Sequence, residues 1–250
     1  MPPGGRGSIS EAMFSVLANP ARFMAVSRWL APLLGVVAAV LLAVGLWLTF
    51  AVPDDYQQGA TVRIMFIHVP AAWMGLFVYC CLGGASFFGL VFRHALADAA
   101  AKAAAPLGAA FTALALATGS LWGRPMWGTW WVWDARLTSV VVLFLFYLGY
   151  MALHAAIDDE IKAARAAAIL SLIGLINLPV IHYSVNWWNT LHQGASVFAA
   201  KGSGLAPVYL IPLLIMGLAF TVLFGALWLV RIRTEVWRRR AGAAALAAAG

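Results

Sequence analysis

Charge is scarce in this chain, and that scarcity sets the first limit on what it can be. Only 10% of its 250 residues are charged and 64% are apolar, whereas soluble domains carry about 45–50% apolar residues. A soluble globule is excluded, and the chain belongs in a bilayer. Cysteine is nearly missing: Cys80 and Cys81 are the two present. As helical neighbours they point in different directions, so a disulfide between them would be badly strained, and they read as packing residues. No C-x-x-C-H occurs, so the chain does not itself attach haem covalently. The G-x-x-x-x-G-K-[ST] loop of a nucleotide motor is absent as well, so the chain is not itself an ATPase. There is no internal repeat, and the chain reads as one domain.

What is there in quantity is apolar sequence. Cutting at charged or Gly/Pro-rich breaks leaves six runs, Trp29 to Phe50, Ile64 to Phe92, Ala103 to Leu121, Leu137 to Leu153, Ala166 to Ser184 and Leu205 to Val230. Each is close to the ~20 residues that a helix needs to cross a bilayer core. The fold class that follows is all-α, an integral membrane bundle of six transmembrane helices. The first run is too long for a cleaved signal peptide and reads as a retained span. None of the six contains Asp, Glu, Lys or Arg, although ion-coupled transporters and proton pumps keep such groups at depth. Asn177 and Pro179 are the main irregularities, both in the fifth run.

Basic residues collect on the cytoplasmic side of membrane proteins, which orients the bundle. With the N-terminus inside, the inner segments carry Arg6, Arg22, Arg28, Arg93, Lys102, Lys162, Arg165, Arg231, Arg233, Arg238, Arg239 and Arg240, and the outer ones only Arg63, Arg124, Arg136 and Lys201. Both termini are then cytoplasmic. The net charge of +7 reflects this topology and contact with anionic membrane lipid, not a nucleic-acid partner. Residues 1–28 read as a cytoplasmic amphipathic segment, with Ser8 and Glu11 as a capping pair, Met13, Phe14, Leu17 and Ala21 at helical spacing, and a break at Asn19-Pro20. Residues 29–231 form the membrane unit, and residues 232–250 a basic, Ala-rich tail that frays after Arg240.

All the unusual chemistry lies in the outer connections. "LWGRPMWGTWWVWDARLTS" holds Trp122, Trp127, Trp130, Trp131 and Trp133 with Asp134, Arg124 and Arg136 among them. An interfacial aromatic belt accounts for Trp29, Trp228 and Trp237, but belts spread indoles around a bundle and do not stack five in one loop. Gly123, Pro125 and Gly128 read as breaks in any continuous helix, and spacings of three set Trp127, Trp130 and Trp133 near one face of a helical segment. His94 and His154 read as solvated residues near inner helix C-termini. His68, His182 and His192 fall on the outer side. His68 lies about one turn inside the second span, and His192 lies in "WWNTLHQGAS", one turn from Trp188 if that loop is helical. Taken singly, each is as readily a structural histidine as a ligand.

A flat apolar ligand with a metal centre and two carboxylates would use all of these groups. Indole faces pack on a macrocycle, paired histidines supply axial nitrogens to iron, and arginine forks match propionates. Haem fits that description, with Arg63, Arg124 and Arg136 as propionate candidates, although Arg136 can equally pair with Asp134. A b-type electron-transfer cytochrome is the competing class; it needs histidine pairs facing each other inside the spans, and only His68, with His182 near the end of the fifth span, approaches that.

"WGRPMWGTWWVWDARLTS" resembles the tryptophan-rich WWD signature of haem-handling membrane proteins, and its "WDARLTS" ending is similar to the CcmC, or heme exporter protein C, branch. "VRIMFIHVPAAWM" and "NTLHQGAS" resemble that family's two outer histidine segments, so the likeness spans nearly the whole chain. The resemblance implies His68 and His192 as axial ligands of a non-covalently held, transient b-type haem. It implies Trp122, Trp127, Trp130, Trp131, Trp133 and Asp134, within a periplasmic loop at 122–136, as the haem platform. It also implies a bacterial inner-membrane assembly with ABC transporter subunits of the CcmA and CcmB type and a one-span subunit of the CcmD type. That assembly would load haem onto a periplasmic chaperone of the CcmE type. Whether the chain assists covalent attachment in that chaperone is left open.

Overall fold

The computed structural model describes residues 19–192 and 204–249. The capping pair Ser8 and Glu11, the apolar Met13, Phe14 and Leu17, and Arg6 and Lys201 lie outside the described residues. Helix α1 spans Pro20–Ala51, α2 Met65–Phe92, α3 Ala95–Trp127, α4 Ala135–Ala156, α5 Glu160–Gly174, α6 Asn177–Trp187 and α7 Pro207–Ala249. With α5 and α6 counted as one crossing, six helical segments are long and apolar enough to span a membrane. No strand occurs among the described residues, where a single bridge pairs Asp55 with Gly59.

The helix ends show which local rules won. Asn19 caps α1, its Oδ1 accepting from Ala21 N at 2.9 Å and Arg22 N at 3.4 Å. Pro20 takes the first turn, where its missing N–H is no loss. Residues 20–28 are therefore continuous with the first apolar helix and form no separate helix. The third span also runs further than its apolar core, through Gly123 and Pro125 to Trp127. In the last turn Pro125 forfeits one backbone bond only, and Gly128 ends the helix in the left-handed region at φ 75°. The alanine-rich tail does not fray after Arg240 but stays helical to Ala249, as the best helix-forming residue allows. Its 43 residues extend about 65 Å, roughly twice the hydrocarbon thickness.

The fifth span is the discontinuous one. Pro179 has no N–H for the carbonyl at Leu175, and the helix gives way to tighter turns at Leu175 and Ile176. Asn177 at the break donates from Nδ2 to the Ser139 carbonyl of α4 at 2.8 Å.

Within the bundle, α2 packs most extensively on α3 and α1 along α7, and α2 also meets α5 and α7. Helix α3 can lie so close because its buried stripe is small, including Ala101, Ala104, Ala105 and Ala109. Tyr147 of α4 is fully buried and donates to the Gly75 carbonyl of α2 at 2.8 Å. The connections bearing Gln58, Trp130 and His192 share one end of the bundle. The other end holds the α2–α3 turn, the start of α5 and the extension of α7.

Candidate functional site

His68 sits in the first turn of α2 and is only 8% exposed. Its Nδ1 meets the Ala115 carbonyl of α3 at 3.0 Å and Thr118 Oγ1 at 3.2 Å. The Thr118 hydroxyl proton is already given to the Leu114 carbonyl at 2.6 Å, and a carbonyl can only accept. The imidazole proton must therefore reside on Nδ1, which leaves the Nε2 lone pair as the free ligand position. The arrangement needs α3 to come close. A Cβ on Gly119 would lie 2.7 Å from His68 Cε1.

His192 follows α6, in a non-helical stretch held by a reciprocal pair of bonds with Thr190: His192 N donates to Thr190 Oγ1 and Thr190 Oγ1 to the His192 carbonyl, both at 3.2 Å. Its ring centroid is 6.3 Å from that of His68, with 24° between the planes. Each histidine has its own tryptophan wall. Trp122 meets His68 edge-on at 5.7 Å, and Trp127 meets His192 edge-on at 5.6 Å. Both tryptophans come from the last turns of α3, and Trp122 is fixed in turn by donating to Gln58 Oε1 at 3.0 Å.

The remaining tryptophans lie in the irregular stretch between α3 and α4, tied back to α3 where Ser120 donates to the Trp130 carbonyl at 2.9 Å. Because α3 ends at Trp127, the expected helical face of Trp127, Trp130 and Trp133 does not form. Trp131 and Trp133 instead pack edge to face at 5.4 Å. Trp130 and Trp133 are 53% and 74% exposed. Trp131 Nε1 is buried with no hydrogen-bond partner, an unmade bond that a ligand group could satisfy.

Asp134 has a structural task. Its Oδ1 caps α4 by accepting from Leu137 N at 2.8 Å, and its Oδ2 accepts from Leu191 N at 3.3 Å. One carboxylate thus joins the tryptophan stretch to the backbone beside His192. An Asp134–Arg136 ion pair, the alternative use of Arg136, is not among those formed by the described residues. Arg136 is half-buried and near enough to act electrostatically on both His68 and Asp134. Arg63 is taken by Asp54 at 2.9 Å and the Val52 carbonyl at 3.2 Å. Arg124 donates to the Gly128 carbonyl.

One expected placement differs. Residues 188–192 are not helical, so Trp188 does not stand one turn from His192; it packs on Trp187 at 5.7 Å. His94, which follows the C-cap residue of α2, also caps the N-terminus of α3, accepting from Ala97 N at 3.1 Å. Gln58, Thr118, Gly119 and Ala115 are site residues that sequence reading missed. Nothing in their local sequence distinguishes them.

The chemistry of the donor set can be tested against haem. The His68 and His192 rings, 6.3 Å apart between centroids and 24° from parallel, would offer two imidazole nitrogens of the kind that haem iron takes. No group of three or more His, Cys, Asp or Glu suited to a metal ion occurs among the described residues. The residues fit the group.

Fold and site together define a polytopic helical membrane protein with a paired-histidine, tryptophan-walled site at one end of its bundle. The heme exporter protein C family matches residues 13–247. Heme exporter protein C of Bradyrhizobium diazoefficiens is 62% identical over 224 residues, covering 90% of this chain and 85% of that protein. The proteins of the same name from Paracoccus denitrificans and Escherichia coli K12 are each 48% identical, covering 90% and 88% of this chain and 94% and 89% of theirs. The chain belongs to the heme exporter protein C family.

Proposed function

We propose that this chain, acting in haem export for cytochrome c maturation, holds haem at the tryptophan-rich end of its bundle and passes it to a soluble chaperone. The carrying observation is that His68 and His192, remote in sequence, stand 6.3 Å apart with the His68 tautomer set for ligation through Nε2. Haem is cargo here, held without a covalent bond and only for a time.

The two imidazoles bind iron, and Trp122 and Trp127 hold them against rotation. The exposed Trp130 and Trp133 offer apolar area to the macrocycle and to a docking partner. Arg136 serves a propionate most readily, because Arg63 and Arg124 would first have to leave Asp54 and the Gly128 carbonyl. Asp134 acts as a brace for this platform and not as a contact. Basic residues favour a cytoplasmic basic end, and in this reading the site faces the periplasm from a bacterial inner membrane. Its partners in this reading are ABC transporter subunits that drive release, a one-span subunit and a haem chaperone of the CcmE type.

The test is the absorption spectrum of the detergent-solubilised protein, purified with its partners, beside a His68→Ala, His192→Ala double variant. Six-coordinate low-spin haem in the wild type, lost in the variant, is the expected result. Haem-free wild type from haem-replete cells, or an unchanged spectrum in the variant, would sink the proposal.

A further inference from the structure

At the end of the bundle opposite the tryptophans, a cavity of about 810 Å³ opens between the ends of α2, α3, α4 and α5 and the extension of α7. Small-ligand sites occupy about 300–1,000 Å³, so it is large enough to matter. Its walls are mostly apolar, with Leu90, Ala168 and Ile169 among them, while Arg93, Lys102, Arg165 and Arg239 also line it.

The charges there do not cancel. Arg239 is held by Asp98 and Glu235, Lys102 by Glu235, and Arg238 by Glu160 and Glu235. Among the described residues no ion pair includes Arg93 or Arg165. The cluster's cations (Arg93, Lys102, Arg165, Arg238, Arg239) outnumber its carboxylates (Asp98, Glu160, Glu235), and the excess resides on these two exposed arginines.

Arg93 carries a second signal. It is the non-glycine residue of the described chain at positive φ, 52°, directly after the last residue of α2. Glycine is the usual occupant of such a position, because a side chain there strains the backbone. Strain retained at a cavity wall points to a use for the side chain. His154 also lines the cavity, and its Nε2 is buried with no hydrogen-bond partner.

We propose that this cavity binds an anionic phospholipid, with its phosphate held by Arg93 and Arg165 and the upper part of one acyl chain against the apolar wall. Basic pockets at helix ends take up such headgroups, which lie at the depth where spans terminate. The apolar wall favours a lipid over a free phosphate, which would leave that wall facing water. The neighbouring Phe87, Phe88 and Phe92 of α2 are exposed and pack on one another, with centroids 5.5 to 6.2 Å apart, a surface suited to acyl chains beside the cavity mouth. Haem plays no part in this site.

Native mass spectrometry of the full chain, delipidated in detergent, tests the proposal with phosphatidylglycerol, phosphatidylethanolamine and inorganic phosphate as separate probes. At equal concentrations the phosphatidylglycerol adduct should exceed the phosphatidylethanolamine adduct by about tenfold. The Arg93→Gly, Arg165→Gln double variant should lose that preference without melting lower, since glycine suits the backbone at position 93 better than arginine. Equal adducts in the wild type, or a preference that survives in the variant, overturn the proposal. Displacement of the lipid by equimolar phosphate would assign the cavity to a free anion and overturn it too.

Discussion

His68 owes its orientation to α3. Its own helix supplies only the position, while the Ala115 carbonyl and Thr118 hydroxyl choose the tautomer and Gly119 leaves the room. In a Gly119→Ala variant the new methyl would stand 2.7 Å from Cε1 and 3.2 Å from Nδ1, so the imidazole must swing away from its carbonyl partner. We expect a protein that still folds, less stable by about 1–3 kcal/mol, with haem affinity lowered roughly 10–100-fold, as when an outer-shell partner of a ligand is lost. Haem titration followed by absorbance measures it, and wild-type affinity in this variant would show that the close approach is irrelevant. The arginines teach a different lesson. Sequence reading offered Arg63, Arg124 and Arg136 as propionate candidates, but which guanidinium is already engaged depends on Asp54 and on the Gly128 carbonyl, and only geometry sets Arg136 apart from the other two.

At the scale of elements, the departures from expectation cluster where helix ends carry the site. Gly123 and Pro125 read locally as breakers, yet α3 absorbs both in its final turns and thereby places Trp122 and Trp127 beside the two histidines. Pro179 does break its span, and Asn177 stitches the break to α4. Asp134 couples elements most directly, capping α4 with one oxygen and holding the Leu191 N–H with the other. Asp134→Ala should cost about 1 kcal/mol through the lost cap, speed proteolytic cleavage near residues 188–192 and weaken haem binding. Asp134→Asn, which keeps a capping oxygen, should be nearer wild type. Limited proteolysis with a thermal melt makes the comparison, and equal cleavage of Asp134→Ala and wild type would refute the bracing role.

Across the whole molecule, the two ends of the bundle have opposite characters. One is aromatic and carries the paired histidines; the other is ionic. There Glu235 of α7, 8% exposed, accepts from Arg238 at 2.8 and 2.9 Å and from Arg239 at 2.9 Å, and meets Lys102 of α3 at 3.3 Å. This carboxylate joins the long last helix to α3, and through Arg238 to Glu160 at the start of α5. Glu235→Gln leaves three cations short of their shared partner and should destabilise the bundle by about 3 kcal/mol, read as a lower melting temperature in detergent. The spectrum of bound haem at the far end should not change; a variant as stable as wild type would mean that the cluster contributes nothing net.

The sequence by itself determined the six apolar crossings, the segregation of basic residues, and the kinds of residue available to the site, because hydropathy and charge act locally and add along the chain. Family signatures in "WDARLTS" and around the two histidines carried the assignment further. Tertiary structure alone decided that position 68 meets position 192, that Trp122 and Trp127 each take one histidine, that Asp134 serves as a brace, and that Arg93 and Arg165 share a cavity. Those outcomes rest on through-space contacts between distant segments, and such contacts follow from how closely small-residue helix faces allow backbones to pack, which no window along one chain contains.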